Sequence, residues 1–99
     1  MEITGINYEE LKRKYGTVVY EGKVYWLIHE PDFSNGMFPG WWGEAEEGEP
    51  YVTEFDAPAY DGAGDKYRIY WRFDAIKGEE RELDTYPWDE DHIVGVHPQ

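Results

Sequence analysis

One stretch, Tyr67-Arg68-Ile69-Tyr70-Trp71-Arg72-Phe73, limits the possible folds more than any other in the chain. Read with a period of two, it puts Tyr67, Ile69, Trp71 and Phe73 on one face and Arg68, Tyr70 and Arg72 on the other. Successive side chains of a strand point to opposite faces, and aromatic and β-branched residues in alternation suit a half-buried one. No other segment combines this length, alternation and buriable surface, so a central strand is expected here. The two arginines on its second face stand out, because the whole chain has only nine Lys and Arg.

The 99 residues suit a single domain, 1–99, with a modest core. Without cysteine there is no disulfide framework, no thiolate nucleophile and no zinc–thiolate site. The start, Met-Glu-Ile-Thr-Gly-Ile-Asn, lacks the basic and apolar regions of a signal peptide. No apolar run approaches the ~18 residues of a membrane span. A soluble cytoplasmic protein is expected.

Acidity is the main anomaly. Twenty-two Asp and Glu face nine Lys and Arg, a formal net charge of −13. Disordered acidic chains are poor in aromatics, whereas five Trp, nine Tyr and four Phe give this one a core to bury. The charge is uneven as well. Acids and bases balance over residues 1–29, so the whole excess falls on residues 30–99.

Taken in order, the chain opens with a short helix over Tyr8–Tyr15. Asn7 caps it, Glu10 stands at the capping-box position, and Ile6 and Leu11 suit a hydrophobic staple. Lys12, Arg13 and Lys14 fill the last turn, where the helix dipole favours cations, and Gly16 follows as the C′ residue. So short a helix must dock on other elements, through Tyr8, Leu11 and Tyr15. Thr17–Tyr20 and Lys23–Ile28 read as a hairpin about Glu21-Gly22. Neither face of its second strand is fully polar, so cover on both sides is expected.

Residues 29–50 show no usable period. Loops this long are functional or mobile more often than not. Within them Trp41 and Trp42 precede Glu44, Glu46, Glu47 and Glu49. The tryptophans either fold back to cap an edge of the core or stand exposed as a contact anchor beside an acidic rim. Tyr51–Asp56 reads as a strand with Tyr51, Thr53 and Phe55 on one side, ended by Pro58. Asp61-Gly62-Ala63-Gly64-Asp65 reads as a turn, since the ligand series of a calcium loop is missing. Lys77-Gly78 is a second turn. If the chain beyond it is extended, Glu80, Glu82 and Asp84 project from one face at roughly 6.6 Å intervals. His92–Val96 reads as a last strand, stopped by Pro98.

The fold expected is α+β, a short N-terminal helix packed on a four- to five-stranded antiparallel sheet. His29, His92 and His97 show no metal-ligand spacing. Ser34 has no nucleophile elbow, and no phosphate loop or basic patch is present. No cofactor, metal site or catalytic residue is therefore expected, and the protein reads as a non-enzyme. Direct nucleic-acid binding is disfavoured, since Lys and Arg supply most of the affinity for phosphate.

The same electrostatics suit an acidic inhibitor or decoy that occupies the basic surface of a nucleic-acid-handling protein or nuclease. Small phage proteins of the anti-CRISPR and anti-restriction kind share this charge and size, an analogy and not a sequence resemblance. Glu44, Glu46, Glu47, Glu49, Glu80, Glu82, Asp84, Trp41 and Trp42 are the expected contact residues. The alternatives are an immunity protein against a basic toxin, or a small ligand-binding or enzymatic domain using carboxylates and His. A solvated face serving only solubility is the bland explanation of the charge.

Overall fold

The alternation of Tyr67–Phe73 belongs to a longer strand in the computed structural model, which describes residues 5–34, 40–79 and 86–99. In chain order the elements are α1 (Tyr8–Lys14), β1 (Thr17–Tyr20), β2 (Lys23–Leu27), β3 (Asp32–Phe33), β4 (Pro50–Asp61), β5 (Lys66–Ile76) and β6 (Ile93–Pro98). All strands pair antiparallel in the order β1-β2-β4-β5-β6, and the two-residue β3 also pairs with β4. The architecture is α+β, one short helix on a curled antiparallel sheet.

Ile69, Trp71 and Phe73 are buried on the face that the alternation selects, with Tyr67 partly buried beside them. β5 is interior, paired to β4 on one side and β6 on the other. β4, the longest strand, takes the middle of the sheet. Its odd-numbered residues from Tyr51 to Asp61 are all buried. Tyr86 and Trp88 close the core from outside the sheet. Trp88 meets Phe55, Trp71 and Phe73 edge-on, with ring centres 5.2–5.4 Å apart. Such pairs add about 0.5–1.5 kcal/mol each beyond the area they bury.

Helix α1 follows its punctuation. The Asn7 side chain accepts the Glu10 N–H at 3.2 Å. At the other end Gly16, at φ +85°, donates to the carbonyls of Leu11 and Lys12. Tyr8 docks edge-on against Trp26 and donates its hydroxyl to the Asp61 carbonyl at 2.7 Å. Tyr25 and Leu27 meanwhile sink into the core, so β2 is covered on both sides at Trp26, while Val24 stays exposed. Glu21 and Gly22 both have positive φ, as a two-residue hairpin turn requires.

Two expectations need correction. Pro58 does not end its strand, because β4 runs on to Asp61. A proline is tolerated inside a sheet only where its missing N–H faces no ladder partner. In an antiparallel strand the N–H and C=O of one residue point to the same side. The Pro58 carbonyl accepts from Ile28 N–H, so its imide nitrogen also faces the connection between β2 and β3. The ladder to β5 loses nothing. The second correction concerns residues 29–50, which hold local structure that no periodicity could announce: β3, a 3-10 turn over Trp42–Glu44, and a parallel bridge between Trp41 and Val52.

Candidate interaction site

The β4–β5 hairpin is closed at one end by the Asp61–Asp65 turn. Its other end, where β4 begins and β5 finishes, carries the segment Gly40–Glu49. Backbone bonds pin that segment to both strands: Val52 N–H donates to the Gly40 carbonyl, Gly48 N–H to Lys77, and Lys77 N–H to Glu49. The Trp41 ring folds over Gly43 so closely that a Cβ there would overlap it. Glycine at 43 is thus a requirement of packing.

Lys77 organises the rest. Its ammonium donates to the carbonyl oxygens of Ala45 at 2.7 Å and Trp42 at 3.3 Å, and it lies 4.0 Å from the centre of the Trp42 ring. Trp41 is half-buried, whereas Trp42 remains 52% exposed. Neither ring is among the residues packed on the core, so an edge-capping role is not what holds them. Trp41 folds back on the loop and Trp42 stays at the surface.

Glu44, Glu46, Glu47 and Glu49 are all exposed around this centre. Asp74 at the end of β5 and Glu79 just past it, both exposed, add to the same end. Among the described residues no ion pair engages any of the six. Glu49 does accept the Glu46 N–H at 2.8 Å, which fixes the turn between them. Glu80, Glu82 and Asp84, expected to share in the contact, lie outside the described residues.

The carboxylates of β4 are treated differently. On the outer face of the hairpin Arg72 pairs with Glu54 at 2.8 Å, and Arg68 pairs with Asp56. Ser34 also donates to Glu54 at 2.6 Å. These are the arginines that alternation put on the second face of β5. An open groove of about 830 Å³ lies here, lined by His29, Glu30, Asp32, Arg68 and Tyr70 among others. Its deeper carboxylates, Glu54 and Asp56, are thus already engaged.

At the turn end, Asp61 is buried and accepts N–H bonds from Ala63 and Asp65, while Lys23 pairs with it at 2.9 Å. Burial alone would push the Asp61 carboxyl up. The Lys23 ammonium and the two amides outweigh that and hold it below the ordinary value. Lys23 in turn is raised by its bonds to Asp61 and to the Tyr67 hydroxyl. Asp61 is buried in this pair while Lys23 stays about half exposed, with Tyr25 and Tyr67 beside its ammonium.

The histidines are spread over the molecule. His29 stacks on Tyr15, His97 meets Tyr70 edge-on, and His92 stacks on Phe73 while its Nδ1 lies 2.6 Å from Asp89. That contact holds the Asp89 carboxyl below its usual value. Among the described residues no three His, Asp or Glu converge as metal ligands would. None of the described helices is long and apolar enough to cross a membrane.

The chain matches no known protein family, no curated protein and no solved structure.

What the site can do therefore rests on its own chemistry. It presents an aromatic ring fixed from behind, in a field of carboxylates, on a segment tied to two strands. Sequence reasoning found Trp42 and the glutamates but missed Lys77, which reads only as half of a turn signal. Its contacts reach back 32 and 35 residues, to Ala45 and Trp42. The one available hint was that Lys77 is the only base between Arg72 and Arg81.

Proposed function

We propose that the protein is a non-enzymatic acidic binder that occupies the cationic surface of a basic, nucleic-acid-handling protein and so excludes nucleic acid from it. One observation carries the reading. The β4 carboxylates Glu54, Asp56 and Asp61 are neutralised by Arg72, Arg68 and Lys23, whereas the six clustered at the hairpin end have no ion-pair partner among the described residues. Crowding like charges gains nothing for the fold, while a concentrated field of one sign speeds encounter with a partner of the other. Trp42 adds a residue of the type most enriched at binding hot spots. The open groove gives less support to a catalytic alternative, since its inner carboxylates are held by arginine and serine.

Reversing the charge of Glu46 and Glu47 tests the reading. Both side chains are exposed, so Glu46→Lys with Glu47→Lys should leave the fold intact. A basic protein captured by the parent at low salt should associate with the variant more slowly, with a flatter salt dependence. It should also be displaced from the parent by added duplex DNA or RNA. An unchanged association rate and salt slope would make the acidic excess a solubility feature and end the proposal.

A further inference from the structure

Trp42 carries the reading one step further, to the chemical group it receives, and this step rests on the proposed binding function. Its ring is clamped by Lys77 from one side and is 52% exposed. The clamp is not an ion pair with the neighbouring glutamates. The ammonium spends its hydrogen bonds on the Ala45 and Trp42 carbonyls. Lys77 thus orients the ring without consuming the carboxylates. Glu44 follows two residues after Trp42 in the same 3-10 turn.

We infer that the exposed part of Trp42, with the glutamates around it, seats an arginine side chain of the basic partner. A guanidinium is planar and weakly hydrated, so it can lie on an indole while its edge N–H groups reach carboxylates. A lysine ammonium is compact and strongly hydrated, and gains less from the ring. A second copy of this chain is a poor occupant, because two molecules of net charge −13 repel each other. The ring is already held by Lys77 and the loop by its bonds to β4 and β5, so little ordering entropy remains to be lost on binding.

Titration of the full-length protein with nona-arginine and with nona-lysine at low salt, followed by amide and indole N–H signals in NMR, decides the matter. The Trp42 indole and the amides of residues 44–49 should shift most. Nona-arginine should bind tighter than nona-lysine, by at most about fivefold, the full worth of an exposed cation–π contact. Trp42→Ala should remove that preference and leave charge-driven binding of both peptides. The inference is overturned if the two peptides bind the parent alike, or if the largest shifts fall at residues 89–91. It is also overturned if Trp42→Ala keeps the arginine preference while its other amide signals stay in place. Should the alanine variant lose its fold, the comparison of the two peptides on the parent still decides. These outcomes are independent of the decoy reading, which fails instead if captured basic proteins are not displaced by nucleic acid.

Discussion

Trp71 has no exposed surface, and its indole N–H meets no acceptor. Around it lie Trp88, Phe55 and Ile69, which offer ring edges and methyl groups in place of oxygen. Trp71→Ala should therefore cost about 3–5 kcal/mol, as large-to-small core changes do, read as a shift of the urea midpoint. Trp71→Phe should cost distinctly less, since the lost volume is partly offset by losing an N–H whose unpaired burial costs about 1–3 kcal/mol. An alanine variant that melts with the parent would place the core elsewhere. Positions such as Trp71, Ile69 and Phe73 were legible because a strand's period of two is a local property. Lys77 was not, because a cation on a ring 35 residues away leaves no trace in either neighbourhood.

Among the elements, the Asp61–Asp65 turn is the one whose chemistry is tied to pH. The folded Asp61 carboxyl titrates below its unfolded counterpart. Its stabilising effect is therefore complete above about pH 4, the value in an unfolded chain. It is lost as pH falls through the lower folded value. Lys23 has the opposite sense, its contribution being complete below roughly pH 10.4 and lost as pH rises through the raised folded value. Asp61→Asn keeps an oxygen for the Ala63 and Asp65 amides but removes the charge that Lys23 meets. It should lower the melting temperature at pH 7, and the gap to the parent should close on acidification below about pH 4. A gap independent of pH would show that the pair contributes nothing through its charge.

The turn itself was readable from its glycines and aspartates. The end of the strand before it, residues 57–61, was not, because Pro58 is a breaker by composition and becomes harmless only through the neighbour its imide nitrogen faces. The same holds for Trp41. Folding back on the loop or lying exposed is settled by whether Gly43 lets the ring down onto the backbone.

At the scale of the whole molecule, six exposed acids gather at one end of the long β4–β5 hairpin. Twelve-residue β4 runs for about 40 Å at a rise of ~3.3 Å per residue, most of the 54 Å length of the molecule. Moderate salt should raise the melting temperature, since screening relieves repulsion among the carboxylates gathered at the loop end. The arginine pairs on the sheet, being partly buried, are screened less. A melting temperature that is flat or falling with salt would mean that the acids are dispersed or paired.

Gln99 donates its N–H to the Lys66 carbonyl, beside the Asp61–Asp65 turn. Gly5 and Ile6 lie near Tyr60, towards the same turn. Eleven residues of β5 separate that region from Lys77, roughly 36 Å at the strand's rise. A handle or fusion partner attached to Gln99 would emerge at the end of the hairpin opposite Lys77. Tethered to a sensor surface by its C-terminus, the protein would present Trp42 outward, with the full length of the hairpin acting as its own spacer.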